Sequence, residues 1–291
     1  MSESIRIHAL CNGKVALQVQ DGQLAIPDWM HQGRHDPRWR EWLPIHSWVV
    51  EHPEGLIVID CGETMRAFEP DYFDRDLFTR FIYEKMFHFS LEPEDEIGPQ
   101  MEALGLSPAD VRTVLLTHLH ADHVDGMVYF PHAEFLVSAR EYHEALRRPT
   151  GALPNRWPEW FKPRLIEHET QPFGPFTHSH TVTRAGDLHL IPTPGHTRGH
   201  QSAVLECDGR LIFFAGDTSF SERQMLEADS IGFNLDARET VATQRKIRQL
   251  AAQRPMVYLP SHDPDSAERL KHLQIVAIPD EHSVQDQALT R

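Results

Sequence analysis

The chain has 291 residues, 40% of them apolar and 24% charged, and 28 Lys+Arg against 43 Asp+Glu leave a net charge of −15. This balance excludes wholesale disorder and the collagen-like and low-complexity classes, and its acidity argues against nucleic acid as a partner. No apolar run approaches the roughly 18 residues that a membrane span needs, and Met1-Ser2-Glu3-Ser4-Ile5 has no basic segment leading into an apolar core, so a cytoplasmic protein without membrane contact is expected.

In chain order, Ser4 to Leu10, Lys14 to Val19, Ser47 to Glu51 and Leu56 to Cys61 are short β-rich runs. The turn residues Asp21-Gly22 and Pro53-Glu54-Gly55 separate them, a pattern that predicts an antiparallel sheet. Residues 27–44 carry Trp29, Trp39, Trp42 and three prolines, which suits an irregular loop. Asp76 to Phe89 places Leu77, Phe78, Phe81, Ile82, Met86 and Phe87 close to helical spacing. A helix should end at Gly105, and Ser107-Pro108 reads as a cap followed by proline at the first helical position.

Val114 to Thr117 then forms a buried strand running into His118, and Glu134 to Val137 followed by Ser138 to Leu146 reads as strand then helix, with Ser138 at the cap. Residues 148–180 hold six prolines together with Trp157, Trp160, Phe161, Phe173 and Phe176, so a long ordered loop is expected. Strands resume at Leu188 to Ile191, Ser202 to Cys207 and Arg210 to Phe214, the last two joined by an Asp208-Gly209 hairpin. Arg238 to Ala252 reads as a helix and Met256 to Pro260 as a short strand. Two β-rich halves, each with helices attached, predict one α/β domain over residues 1–291 with its sheets packed together.

Cys11, Cys61 and Cys207 are odd in number and form no C-x-x-C pair, so neither a disulfide framework nor a thiolate metal site is expected. Histidine is the unusual residue, with 20 copies, and it clusters in Thr117-His118-Leu119-His120-Ala121-Asp122-His123. On an extended segment, alternating His118 and His120 can face one metal while Asp122 and His123, past a turn, reach a second. Thr193-Pro194-Gly195-His196, Ala215-Gly216-Asp217 and Ser261-His262-Asp263 each add a ligand type at the end of a predicted strand. Five imidazoles and two carboxylates form the donor set expected for two Zn²⁺, with Fe, Co or Mn able to use the same donors. Two such ions, two carboxylates and a bridging hydroxide leave a net positive site suited to an oxyanion.

These motifs, in this order, resemble the metallo-β-lactamase superfamily. The resemblance spans about residues 45 to 265 and implies an αββα sandwich, two mixed sheets flanked by helices, with metals at one edge. It implies that His118, His120 and His196 hold one metal, that Asp122, His123 and His262 hold the other, and that Asp217 bridges them. Within the superfamily the chain is similar to the N-acyl-homoserine lactonases, through His46-Ser47-Trp48-Val49-Val50 leading to Ile59-Asp60-Cys61-Gly62, Thr193 to Ser202, and Gly216-Asp217-Thr218-Ser219-Phe220. Asp217 argues against true β-lactamase activity, since those enzymes commonly lack the bridging aspartate. Phe220 departs from the lactonase pattern, which has a substrate-contacting tyrosine there.

The function expected is a dinuclear zinc hydrolase that opens a lactone ring, with Asp122 as proton acceptor or shuttle in addition to its ligand role. A hydroxyacylglutathione-type thioesterase, with Lys271 as its one candidate basic residue, an organophosphate hydrolase and a non-catalytic metal-binding protein are the competing readings. No G-x-S-x-G elbow supports a serine mechanism. His200, four residues after His196, reads as structural, and Asp60 as either an orienter of a ligand histidine or a turn cap. The aromatic loops 27–44 and 148–180, with Trp157 and Trp160, line either an acyl pocket or a homodimer interface, and Phe220 is placed at the substrate mouth.

Overall fold

The computed structural model describes residues 5–17, 42–73, 87–148, 151–230 and 233–278. Seven strands form one mixed sheet: β1 (Arg6–Leu17), β2 (Leu43–His52), β3 (Gly55–Ile59), β4 (Phe87–Ser90), β5 (Val111–Leu115), β6 (Glu134–Ser138) and β7 (Arg164–Ile166), in the order β4-β1-β2-β3-β5-β6-β7. The first four of these positions pair antiparallel and β3, β5, β6 and β7 pair parallel. The second sheet runs β12-β11-β10-β9-β8, built from β8 (His180–Thr181), β9 (Leu188–Pro192), β10 (Gln201–Cys207), β11 (Arg210–Gly216) and β12 (Met256–Pro260). Its pairs are antiparallel except for the parallel β11 and β12.

Alternation along the strands sorts the apolar residues into three layers. Val50, Ile57, Ile59 and Leu115 of the first sheet meet Leu190, Leu205, Phe214 and Val257 of the second. Their neighbours Val49, Val58 and Val114 face outward onto Ile97 and Met101 of α1 (Ile97–Ala103). Val204, Phe213 and Tyr258 likewise meet Met225 of α4 (Glu222–Glu227) and Ile247 and Leu250 of α5 (Ala237–Gln253). Two further helices, α2 (Ala121–Val124) and α3 (Ala139–Ala145), follow β5 and β6, and α6 (Ser266–Lys271) follows β12. Helix, sheet, sheet and helix therefore stack as the αββα sandwich implied by the resemblance.

Several expected elements differ in the structure. The described parts of the first two runs, Arg6 to Leu17, are one strand, with a bulge at Asn12 and Gly13 between Cys11 and Lys14 and Gly13 at φ +80. The helix expected over Asp76 to Phe89 fails at its described end, where Phe87 to Ser90 pair with β1, while residues 76–86 lie outside the described residues. Residues 27–41 of the first aromatic loop also lie outside them, and Leu43 and Pro44 already belong to β2. Residues 151–180 carry β7 and the start of β8; β7 lies at the sheet edge, where Pro163 before it has no ladder donor to lose. Ser107 precedes only a 3₁₀ turn, Pro108–Asp110, and makes no side-chain cap bond, because Val111 enters β5 directly.

Candidate metal centre

The loops that leave the C-terminal ends of β3, β5, β9, β11 and β12 converge at one edge of the sandwich, carrying Asp60, His118 to His123, His196, Asp217 and His262. Backbone bonds between loops fix the edge: Gln201 N–H donates to Thr117 O at 2.9 Å, Ser261 N–H to Gly216 O at 3.0 Å, and Cys61 N–H to His123 O at 2.7 Å. The His196 loop rests on the start of α5, where Leu235 N–H donates to His196 O at 3.1 Å and the Thr243 hydroxyl to Pro194 O at 2.7 Å.

All seven residues named from the sequence meet there. The ligand atoms of His118, His120 and His196, of His118, His123 and Asp217, and of Asp122, His123 and His262 each lie within 4.8 Å of one another. His196 Nε2 is 2.9 Å from His120 Nδ1, and Asp217 Oδ2 lies 3.4 Å from His196 Nε2 and 3.3 Å from His262 Nε2. Asp122 Oδ2 is 3.4 Å from His262 Nε2.

Outer contacts fix which ring nitrogen faces inward. His123 Nδ1 donates to Asp60 Oδ2 at 2.9 Å, and His262 Nδ1 donates to the Pro44 carbonyl at 2.8 Å. Both acceptors lack hydrogens, so Nε2 of each ring is the inward atom. The Thr117 hydroxyl donates to Asp60 Oδ2 at 2.8 Å and accepts from His118 Nδ1 at 3.0 Å, which leaves His118 Nε2 inward. Asp60 thus orients ligand-type histidines, and its φ of +55 is one that aspartate tolerates. His200 Nε2 accepts from the Asp217 backbone N–H at 3.0 Å while Nδ1 donates to the Thr193 hydroxyl at 2.9 Å, the structural role expected of it.

Buried His118 Nε2 has no hydrogen-bond partner, and His123 Nε2 and Asp217 Oδ1 have only each other, 3.3 Å apart. Unpartnered buried lone pairs cost free energy unless something else satisfies them, and several aimed at one point fit a divalent cation. Burial pushes His120 and His196 down to about 3 and holds His118 well below its ordinary value, so these rings are neutral donors. Burial also pulls on His123, but Asp217, Asp122 and Asp60 outweigh it and carry the ring up; Asp217 and Asp122 do the same for His262. Asp217, despite burial, is held far below the usual carboxylate range by His262, His123 and His196.

A cavity opens over this floor, walled by Val15, Leu43, Phe73, Phe87, Phe89, Leu153, Phe220 and Phe233. Phe220 lines the cavity, its ring centroid 5.4 Å from that of His262 and 6.3 Å from that of His196. Trp157 and Trp160, expected to line either an acyl pocket or an interface, are not among the described residues that line this cavity. Trp157 stacks on Tyr142 at 5.8 Å and packs against the outer core, and Trp160 lies 6.0 Å from Phe135, 39% exposed. The four phenylalanines Phe73, Phe87, Phe89 and Phe233 escaped the sequence reading; the alternation of Phe87 and Phe89 was their one available signal.

The model of the metallo-beta-lactamase superfamily matches residues 40–262. N-acyl homoserine lactonase AttM of Agrobacterium fabrum is 27% identical over 237 residues, covering 77% of this chain and 83% of that protein. Among solved structures, an N-acyl homoserine lactone hydrolase with N-hexanoyl-L-homoserine at its catalytic metal centre superposes with a TM-score of 0.69 at 19% identity, covering 95% of this chain and all 100% of that one. AidC, a dizinc quorum-quenching lactonase, superposes with a TM-score of 0.62 at 16% identity, covering 92% and 90%. With its ligand-type residues on the ends of the strands of an αββα sandwich, and with a family match over most of its length, the chain belongs to the metallo-beta-lactamase superfamily.

Proposed function

We propose that the protein is a dinuclear metal hydrolase that opens lactone rings, with N-acyl-homoserine lactones as the first substrates to test. The observation that carries this reading is the meeting of seven donors beneath an apolar, phenylalanine-walled cavity. The AttM relative and the AidC neighbour support the substrate class and the two-zinc content.

His118, His120 and His196 would hold one ion, Asp122, His123 and His262 the other, and Asp217 would join them. Zinc suits this donor set, and Fe, Co or Mn can use it. Such a pair of ions supplies an activated water and polarises an ester carbonyl. The chain's own contributions are distinct. Asp122, its side chain 19% exposed at the cavity floor, accepts a proton from the attacking water and delivers it to the leaving alkoxide. The phenylalanine wall binds the apolar arm of the substrate and excludes bulk water.

The glutathione-thioesterase reading loses its cation, because Lys271 pairs with Glu268 at 3.1 Å on α6 and lines a different groove, beside β1. Phe220 favours a second reading, in which a lactone or ester without an acyl amide is the better substrate. Among the described residues no side-chain hydroxyl lines the cavity to replace the absent tyrosine. A pH-indicator assay of metal-loaded protein on N-acyl-homoserine lactones, alkyl lactones, a thioester and a phosphotriester tests these readings. Lactones should be hydrolysed fastest, and a thioester or phosphotriester that exceeds both lactone classes would refute lactone opening.

A further inference from the structure

Ser138-Ala139-Arg140-Glu141 has the S-x-x-E pattern of a capping box at the start of α3. The structure uses the glutamate differently. Ser138 makes no side-chain cap bond, and Glu141, 3% exposed, turns into the protein. Its Oε1 accepts from Leu119 N–H at 3.0 Å, and its Oε2 accepts from the Thr197 hydroxyl at 2.6 Å and from Gly199 N–H at 3.2 Å.

The positions of those three donors matter. Leu119 lies between His118 and His120, Thr197 follows His196, and Gly199 precedes the His200 that holds the Asp217 backbone. The His118–His120 segment leaves β5 of the first sheet, and the His196–His200 segment joins β9 to β10 of the second. One carboxylate therefore ties loops from two sheets at the place where His120 Nδ1 and His196 Nε2 stand 2.9 Å apart. Gly199 permits the approach, since a Cβ there would lie 2.1 Å from Glu141 N.

We infer that Glu141 is a positioning residue for the His118, His120 and His196 group, setting the separation of the two loops so that three ring nitrogens converge on one cation. The inference rests on the metal reading above and adds a residue remote from substrate to the machinery. Outer partners of metal ligands act through orientation, and their loss costs about 10- to 100-fold in metal affinity. Gln at 141 keeps the shape but places an NH₂ against a donor on one of the two loops. Val at 197 removes only the hydroxyl contact, and Ser restores it.

The test is zinc affinity by competition with a chromophoric chelator, together with the visible spectrum of the cobalt-loaded protein and the melting temperature of the metal-free protein. These are measured for the full-length wild type, Glu141→Gln, Thr197→Val and Thr197→Ser. The first two variants should bind the tighter zinc about 10- to 100-fold more weakly and shift the cobalt bands, with Thr197→Ser returned toward wild type. A lower melting temperature with unchanged zinc affinity and cobalt bands would show a purely structural role and overturn the inference. Should Glu141→Gln fail to fold, the Thr197 pair decides by the same criteria. A wild type that binds no zinc overturns the functional reading and this inference with it, whereas tight wild-type binding that no variant alters overturns this inference alone.

Discussion

His118, His120 and His196 form an all-imidazole group, fully buried and neutral, whereas Asp122, His123 and His262 mix a partly exposed carboxylate with two rings whose pKa is raised. Asp217 touches both. The two groups solve the problem of buried lone pairs in opposite ways. In the first, burial, helped by the neighbouring imidazoles, keeps the rings unprotonated and the fold holds them close together, with Glu141 behind them. In the second, Asp217, Asp122 and Asp60 stabilise ring protons that a cation must displace. A rigid neutral half and a charge-compensated half should therefore differ in how metal uptake responds to mutation and to pH.

Substitutions can break this contrast, and the largest effect is expected where the halves join. Asp217→Asn keeps the volume but removes the charge facing His123, His196 and His262. It should cost about 10²- to 10³-fold in kcat/KM, with elemental analysis showing loss of the second ion before the first. Asp60→Asn sharpens the contrast, since Asp60 accepts from the His123 ring and, through Thr117, steadies His118. A loss of about 10- to 100-fold in activity is expected, accompanied by weaker binding mainly in the carboxylate half.

The histidine and aspartate motif was legible in the sequence because four of its members fall within residues 118–123 and the other three follow predicted strands. The layered fold was legible for the same reason that alternation is, each strand presenting two faces to two different layers. What escaped detection depends on contacts distant in sequence. Trp157 in a proline-rich stretch carries no sign of whether its ring meets substrate or Tyr142. Phe87 and Phe89 sit in a segment whose other apolar residues mimic helical spacing, and only pairing with β1 makes them neighbours on the cavity wall. The role of Glu141 stands out nowhere in the sequence, because nothing local tells that Thr197 and Gly199 will come to it.

The pH dependence follows from the raised rings. Their carboxylate neighbours hold protons on His123 and His262 to higher pH than on an ordinary imidazole, so a cation bound there has to displace protons that the other group does not carry, and its affinity should rise with pH. His120 and His196, at about 3, release none near neutral pH. Titration calorimetry in buffers of different ionisation enthalpy reads the number directly, and zero protons released would erase the contrast. The smallest effect is expected at Phe220, whose ring reaches toward both halves. Phe220→Tyr adds one donor at the mouth and should raise kcat/KM on N-acyl-homoserine lactones by up to about tenfold; an unchanged or lower value would move the search for a carbonyl donor elsewhere.

Metal stoichiometry tests the two-half arrangement most directly. Protein purified without chelator and reconstituted with zinc should hold two ions per chain by elemental analysis. A content that stays at one ion after reconstitution would contradict it, leaving the Asp122, His123 and His262 group as an ion-pair network without a metal.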